Sequence, residues 1–331
     1  MKVVRWGIIG CGDVTEVKSG PGFQKARGSS LVAVMRRDRA KAEDYARRHD
    51  VPRVHATAGD LIEDPDVDAV YIATPPASHA DLACRAAEAR KPCLVEKPMA
   101  ASLADCTRML EAFRRVSVPL WVAYYRRALP RFLLVRELLQ SGSLGTVTSV
   151  HVELRQPLAR GEAARVWRFN RALAGGGLFY DMGSHTVDLL DFLFGPVEHV
   201  SGLSVNTGGT YEVEDVTAAT FRLGGGGLAT GLWNFNAGAA SDALVVTTTL
   251  GEVRTTVFGD ADVVVTRDGA ADVHAVRNPP HVHQPLIQTI VDELAGRGAC
   301  ESTGASGARA SRILEMCTSP QWPSARVPDP P

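Results

Sequence analysis

Short apolar runs alternate with amphipathic helical stretches from residue 3 to residue 123. Runs rich in β-branched and other apolar residues predict strands at residues 3–9, 31–35, 69–73, 93–95 and 120–123. Between these strands, apolar positions recur at helical spacing over residues 39–49, 79–89 and 103–116. Apolar strands that alternate with helices are typical of a parallel sheet covered on both faces. The pattern therefore predicts a doubly wound α/β domain whose strands end at one edge, where ligands bind.

The pattern changes near residue 130, where successive strands replace the alternation. Helical spacing predicts helices at residues 130–141, 184–194 and 285–294. Strand-like runs occupy residues 147–154, 198–205, 217–223, 228–236, 243–250, 252–258 and 262–267. Strands joined by short Gly or Asp turns are typical of an antiparallel sheet. We predict a doubly wound domain over residues 1–124, an α+β domain with a large open, mostly antiparallel sheet over residues 125–316, and an irregular tail over residues 317–331.

The composition argues against several kinds of partner. The 331 residues carry a formal net charge of −1 without a basic stripe, so neither nucleic acid nor an anionic membrane is expected to bind. No apolar run is long enough to span a bilayer, and the chain starts on a strand pattern rather than on a signal peptide. The six cysteines lack Cys-x-x-Cys spacing, and His281 with His283 has no carboxylate or cysteine at ligand spacing, so no metal site is predicted. We expect a cytoplasmic protein with reduced thiols.

A glycine motif follows the first predicted strand. It reads Gly10-Cys11-Gly12-Asp13-Val14-Thr15. An apolar strand that ends in Gly-x-Gly and leads into a helix commonly holds the pyrophosphate of a dinucleotide, because glycines permit close backbone approach and the helix N-terminus offers N–H groups. Thr15 replaces the third glycine of that fingerprint, so the motif alone is weak, but its strand–helix–strand context strengthens it. We predict cofactor contacts from Gly10, Gly12, Asp13 and Val14.

The end of the second predicted strand indicates which dinucleotide binds. In NAD-binding domains, an acidic residue at this place accepts hydrogen bonds from the ribose 2′-OH. Here Arg36 and Arg37 follow the strand, and their guanidinium groups suit a 2′-phosphate unless they are simply solvated charges. If the second strand extends further than predicted, Asp38 is the acidic residue that accepts hydrogen bonds from the ribose 2′-OH. Otherwise Asp38 caps the next helix. We predict NADP as the cofactor, with NAD as the alternative.

Two further groups carry candidate acid–base chemistry. Lys97, in Glu96-Lys97-Pro98, follows a predicted strand at the edge where the nicotinamide ring is expected, and Pro98 suits a turn that includes a cis bond. A partly desolvated lysine there donates a proton or hydrogen bond to a carbonyl under reduction. Asp181 and His185 share one face of a helical turn, where the carboxylate orients the imidazole, and the glycine run before them lets the backbone pass close to a ligand. Each group alone also fits a structural role, as a surface turn or a structural Asp–His pair.

Together these residues resemble the Gfo/Idh/MocA family of oxidoreductases, which includes glucose–fructose oxidoreductase, inositol dehydrogenases and dihydrodiol dehydrogenases. The matching elements, in the family's order, are Gly10-Cys11-Gly12, Ala73-Thr74-Pro75-Pro76 with His79, Glu96-Lys97-Pro98, Trp167-Arg168, the glycine run at 175–177, and Asp181 with His185. Tyr125 departs from the family, because many members have Asn there, before the pair Arg126-Arg127. The stretch after Leu314 also departs, because a longer closing helix is expected there.

The resemblance implies that Lys97 and His185 are the catalytic pair and that Asp181 binds substrate or supports the proton transfer. Together with Tyr125, these residues are the predicted substrate contacts. Glu96 is expected to contact the nicotinamide ribose. The other implied cofactor contacts are Arg36, Arg37, Thr74, Pro75, His79, Lys97, Trp167 and Arg168. The open sheet of the family commonly forms the oligomer contact, so a homodimer or homotetramer through the second domain is expected.

The sequence thus predicts an NADP-dependent oxidoreductase that transfers a hydride between the nicotinamide and a hydroxyl or carbonyl carbon of a sugar, cyclitol or related diol. One alternative is a non-catalytic NADP-binding regulator, against which the complete set Lys97, Asp181 and His185 argues. The other is a cofactor-retaining sugar epimerase or oxidoreductase, in which tightly held NADP is recycled internally.

Overall fold

Two compact units make up the chain in the computed structural model. The residues that the structure describes are 3–161, 166–318 and 325–326. The first unit combines Met1–Leu129 with Pro279–Ala308, and the second combines Pro130–Asn278 with Arg309–Pro331. The division differs from the predicted one, in which residues 125–316 form one continuous domain.

The first unit is built on a parallel sheet. Its six strands are β1 Val4–Ile9, β2 Ser29–Met35, β3 Arg53–His55, β4 Ala69–Ile72, β5 Cys93–Val95 and β6 Leu120–Val122. The helices along this stretch are α1 Asp13–Val17, α2 Gly20–Lys25, α3 Arg39–Arg48, α4 Ala58–Glu63, α5 His79–Glu88 and α6 Leu103–Val116. The strand order β3-β2-β1-β4-β5-β6, parallel throughout, confirms the predicted doubly wound sheet. The sequence did not predict β3 or α4, which have 3 and 6 residues and show too little periodicity, and it predicted a helix after the glycine turn without separating α1 from α2.

The second unit is built on a sheet that has nine strands among the described residues. They are β7 Val147–Arg155, β8 Val197–Val205, β9 Val216–Leu223, β10 Leu228–Asn234, β11 Ser241–Thr248, β12 Glu252–Thr255, β13 Val263–Arg267, β14 Ala270–His274 and β15 Ala325–Arg326. The helices before β8 are α7 Pro130–Gln140, α8 Arg171–Ala174 and α9 Ser184–Phe194. The order is β14-β13-β12-β11-β7-β10-β9-β8-β15, and every pair except the parallel β7–β10 is antiparallel. This confirms the predicted open, mostly antiparallel sheet.

One predicted strand ends early for a local reason. The sequence predicts strand over residues 252–258, whereas β12 ends at Thr255. The Asp242 carboxylate accepts the backbone N–H groups of Val257, Phe258 and Gly259 at 2.6–2.9 Å. These N–H groups are therefore unavailable to a neighbouring strand, and the chain forms a tight loop instead.

The two faces of the second sheet differ. Trp233 on β10 is buried on the face that carries α9, and its indole Nε1–H donates to Thr186 Oγ1 at 3.4 Å. The opposite face carries small and apolar side chains in register, with Leu203 beside Ala218 and Ala218 beside Leu232. Leu203 is 72% exposed, so this face offers apolar surface to another molecule.

Helix α10 Gln284–Leu294 explains why residues 279–308 belong to the first unit. It buries its apolar residues Leu286, Ile287, Ile290 and Val291. Arg27 N–H also donates to the side-chain oxygen of Gln288 at 2.8 Å, which fastens the helix beside α2. Apolar burial and hydrogen bonding therefore return this segment to the parallel sheet, although the strands of the second unit precede it in sequence.

Helix α11 Gly304–Thr318 runs two residues into the predicted tail, so the expectation that irregular structure begins at Cys317 is wrong. Cys317 is buried against Gly202, and its carbonyl accepts a hydrogen bond from Ser204 Oγ at 3.0 Å, which extends the helix. The rest of the predicted tail, apart from β15, lies outside the described residues. None of the described helices combines the length and apolar character needed to cross a bilayer.

Candidate active site

The glycine turn after β1 has the shape that a dinucleotide requires. Gly10 has φ +91°, and a Cβ there would lie 2.8 Å from Thr74 Cγ2, so a larger residue is both strained and crowded. A Cβ on Gly12 would meet only the Gly10 carbonyl oxygen, at 3.8 Å, so this side of the turn is open. Thr15, in place of the third glycine, is buried and donates its hydroxyl to the Gly12 carbonyl at 2.7 Å. Asp13 and Val14 begin α1 beside the open side of the turn.

Arg36 and Arg37 lie where the second strand ends. Arg36 Nη1 donates to the Cys11 carbonyl at 3.1 Å, which holds its guanidinium beside the glycine turn, whereas Arg37 is exposed. Asp38 caps α3 by accepting the Lys41 N–H at 3.2 Å, and this hydrogen bond lowers the pKa of the Asp38 carboxyl. Of the two roles considered for Asp38, the structure shows the cap.

A buried carboxylate anchors the turn that carries Lys97. Glu96 is 7% exposed; its Oε1 accepts the Tyr71 hydroxyl and its Oε2 accepts the Lys97 backbone N–H at 3.1 Å. Burial, reinforced by the neighbouring Glu96 carboxylate, raises the pKa of Tyr71 well above its usual value, so Tyr71 stays a hydrogen-bond donor. The Lys97–Pro98 peptide bond is cis. Lys97 is partly exposed at the carboxyl end of β5.

His283 belongs to the surroundings of Glu96, although the sequence did not predict it as a site residue. Its ring stacks on Tyr125 with centroids 4.5 Å apart, and its Nδ1 lies 3.7 Å from Glu96 Oε1. Burial lowers the pKa of His283 to about 3, with further lowering from Lys18, Lys97 and Arg126. The imidazole is therefore neutral near pH 7, and its contact with Glu96 is too long for a hydrogen bond and is not a salt bridge.

This neutral state predicts a pH dependence of stability. As the pH falls from 6.5 towards 3, unfolded chains protonate His283 while folded chains do not, so the free energy of unfolding decreases. In His283→Phe this contribution disappears, and urea unfolding between pH 6.5 and 4.5 should show a slope smaller than that of wild type by roughly 1 kcal/mol per pH unit. Equal slopes for the two proteins would contradict a neutral buried His283.

His79, which the resemblance implies as a cofactor contact, has both ring nitrogens beside backbone carbonyl oxygens. It is completely buried, with Nε2 2.7 Å from the Thr74 carbonyl oxygen and Nδ1 3.2 Å from the Met99 carbonyl oxygen. Burial lowers the pKa of His79, which favours the neutral ring with one N–H to donate. This geometry favours a positioning role for His79, between the loop after β4 and the turn after Lys97. Thr74 and Pro75 are partly exposed and remain candidates for the cofactor border.

The second unit contributes another group of predicted residues. Asp181 lies in the π-helical turn Phe179–Gly183, and its Oδ2 accepts Arg168 Nε–H at 3.0 Å. The Arg168 guanidinium also lies 4.7 Å from the centroid of the Trp167 ring. His185 follows in the first turn of α9, mostly buried, with the Phe258 ring edge-on at 6.1 Å. Trp167, Arg168 and Asp181 thus form a connected set.

The glycine run before Asp181 is explained by packing inside the unit. Gly177 N–H donates to Glu214 Oε1 at 2.7 Å, and a Cβ on Gly177 would lie 2.2 Å from the Glu214 carbonyl oxygen. Arg171 pairs with the same carboxylate at 3.0 Å. The close approach predicted for this run was to a ligand, whereas the close approach in the structure is to Glu214. Glu214 was missed because it lies far along the chain, in a segment without a motif.

The two sets of predicted residues lie in different units. The glycine turn, the arginines, Glu96, Lys97 and Tyr125 belong to the first unit, and Trp167, Arg168, Asp181 and His185 belong to the second. Tyr125, a predicted substrate contact, is mostly buried between the His283 ring and the Arg126 guanidinium, 4.9 Å from its ring centroid.

Comparisons with known proteins agree with this division. Residues 4–124 match the family described as "Oxidoreductase family, NAD-binding Rossmann fold", and residues 132–263 match the "GFO/IDH/MocA C-terminal domain". Oxidoreductase P35 of Formosa agariphila is 35% identical over 95% of this chain and 98% of its own length. The 1,5-anhydro-D-fructose reductase of Ensifer adhaerens is 27% identical over 92% of each chain. The structure of levoglucosan dehydrogenase with NADH and levoglucosan superposes with a TM-score of 0.88 at 21% identity, covering 99% of this chain and 100% of that one.

A glycine turn on a six-stranded parallel sheet, followed by a unit with an open antiparallel sheet, defines an NAD(P)-dependent oxidoreductase with a Rossmann domain. The chain belongs to the Gfo/Idh/MocA family of oxidoreductases. The resemblance drawn from its motifs is thereby confirmed.

Proposed function

We propose that the protein is an NADP-dependent oxidoreductase that transfers a hydride between the nicotinamide and a hydroxyl or carbonyl carbon of a sugar, cyclitol or related diol. The preference for NADP is carried by one observation: two arginines end β2, and the nearby carboxylate of Asp38 is used as a helix cap. A sugar-like substrate is supported by the relatives, one named as an anhydrofructose reductase and another solved with levoglucosan.

The residues fit a dinucleotide because the open side of Gly12 leaves room for a pyrophosphate near backbone N–H groups. When bound, the nicotinamide nucleotide supplies or accepts the hydride. Glu96 would bind the ribose, and Thr74 and Pro75 would border the cofactor. Trp167 and Arg168 would contact it from the second unit.

Proton transfer is the proposed task of Lys97 and His185. In reduction, both side chains would hydrogen-bond the carbonyl oxygen and deliver its proton; in oxidation, His185 would take the hydroxyl proton as a base. Asp181 would support the imidazole or bind a substrate hydroxyl, and its hydrogen bond from Arg168 keeps the carboxylate in place. Stabilising the developing alkoxide is the main contribution expected from these groups.

A broad substrate screen tests this proposal. Purified protein is mixed with NADP⁺ or NAD⁺ and panels of sugars, inositols and cyclic diols, and the absorbance of the reduced nicotinamide is followed. Net reduction with at least one polyol, faster with NADP⁺, is the expected result. Product formation by protein that retains its nucleotide without net reduction would favour the cofactor-retaining alternative. Tight nucleotide binding with no turnover across the panel would favour the regulator.

Arg37→Ala should discriminate between the two nucleotides. Removing one charge-assisted contact to a 2′-phosphate should raise the Kd for NADPH about tenfold or more and leave the Kd for NADH nearly unchanged. Arg37 is the better target because Arg36 also supports the glycine turn. Fluorescence titration with both nucleotides measures the effect, with Arg39→Ala, an exposed arginine paired with Glu43, as the matched control. A parallel loss for NADH would show that Arg37 does not recognise the phosphate.

We also propose that the open face of the second sheet forms the contact of a homodimer or homotetramer. Its register places Thr220 beside Thr230 and Thr230 beside His151, and the Glu153 carboxylate, beside Leu232 on the same face, is paired with Arg155. Light scattering of wild type and of Thr230→Glu tests this contact, because a buried charge should dissociate the assembly. A monomeric wild type would exclude it.

A further inference from the structure

A buried histidine faces Glu96 from the end of the first unit. His283 immediately precedes α10 and is 1% exposed. Its Nδ1 points to Glu96 Oε1 at 3.7 Å, and no described residue lies within hydrogen-bond distance of this nitrogen. Leaving a buried polar atom without a partner costs free energy. The polar group that His283 Nδ1 faces is the Glu96 carboxylate, so a role for this histidine involves Glu96.

Contacts on two sides hold the His283 ring at this place. Tyr125 stacks on it, with ring planes 30° apart. The backbone N–H of His283 faces the Lys18 carbonyl at 3.4 Å, and the neighbouring His281 has its Nδ1 2.7 Å from the Val17 carbonyl oxygen. Val17 ends α1, the helix that follows the glycine turn. The segment 281–283 therefore connects that helix to Glu96.

Glu96 is held by donors at both of its oxygens. The Tyr71 hydroxyl donates to Oε1 and the Lys97 N–H donates to Oε2. A neutral imidazole with its N–H at Nδ1 turns a polar edge towards Oε1 at 3.7 Å, longer than a hydrogen bond, without adding charge. Such a set of donors restricts the carboxylate to one orientation, as a binding group requires.

We propose that His283 is a positioning residue: with Tyr71, and pressed into place by Tyr125, it holds the Glu96 carboxylate in the orientation in which Glu96 binds the ribose of the nicotinamide nucleotide. The inference rests on the proposed cofactor role of Glu96. It also gives Tyr125 a role, because a flat ring at this position stacks on His283.

Binding of NADPH, measured by fluorescence titration of the full chain well below its melting temperature, tests the proposal. His283→Phe keeps an aromatic ring but removes the polar edge, and it should raise the Kd for NADPH about five- to twentyfold, because the Glu96 carboxylate loses the polar group that faces it. His283→Asn, which offers an N–H near the same place, should recover most of the affinity. His274→Phe, the same change at a partly exposed histidine of the second unit, is the matched control and should bind like wild type.

A double-mutant cycle separates positioning from a general structural role. In a Glu96→Gln background, adding His283→Phe should cause no further loss of affinity, because the group through which His283 acts is gone. Tyr71→Phe provides a second route to the same readout if His283→Phe fails to fold. Equal NADPH affinity of wild type, His283→Phe and Tyr71→Phe would overturn the positioning role of His283 and leave the proposed function intact. If wild type itself bound neither NADPH nor NADH, the proposed function would fail with it.

Discussion

Lys97→Ala is expected to lose about 10²–10⁴-fold in kcat on the best substrate of the screen while its Kd for NADPH stays within about threefold of wild type. The expected loss is large because the amine would donate a proton to the oxygen that becomes an alkoxide in the transition state. Affinity should survive because the backbone N–H of residue 97, which holds Glu96, is retained in the alanine variant. Steady-state kinetics and fluorescence titration give the two numbers.

Lys91→Ala is the matched control for this experiment. Lys91 lies just before β5, whereas Lys97 lies just after it, so the two lysines belong to opposite ends of one strand. The Lys91 side chain donates to the Asp64 carbonyl, away from the glycine turn. Its removal should cost some stability and leave turnover unchanged. Unaltered kcat in Lys97→Ala would refute the proposed proton donor.

The fold was predictable where elements are long and repetitive. Strand β4 buries all four of its residues and β1 buries the last four of its six, so their apolar runs are continuous and visible in the sequence. The end of β12 was not predictable, because it depends on Asp242 accepting three N–H groups from residues further along the chain. The place of α10 was not predictable either, because its amphipathic pattern shows that a face is buried but not against which sheet.

The residues of the candidate site also differ in whether a local motif or long-range packing determines their place. Lys97 stands in a local motif beside a strand end, so the sequence alone was enough to propose it as a site residue. The partners of such residues are set by long-range packing: Glu214 and Gly177 are 37 positions apart, and His283 reaches Glu96 only because α10 returns to the first unit. The ambiguity of Asp38 was resolved by geometry, since one hydrogen bond to Lys41 distinguishes a cap from a ribose contact.

His185→Asn is expected to reduce kcat about 10²-fold or more, and its combination with Lys97→Ala tests whether the two residues serve one chemical step. Groups that act on the same proton transfer are strongly non-additive, so the double variant should be only slightly slower than the slower single variant. His151→Asn, on the open sheet face of the second unit, is the matched control and should retain wild-type kcat. Losses that multiply in the double variant would mean that Lys97 and His185 act independently, and the joint donor that we propose would have to be replaced by one residue acting alone.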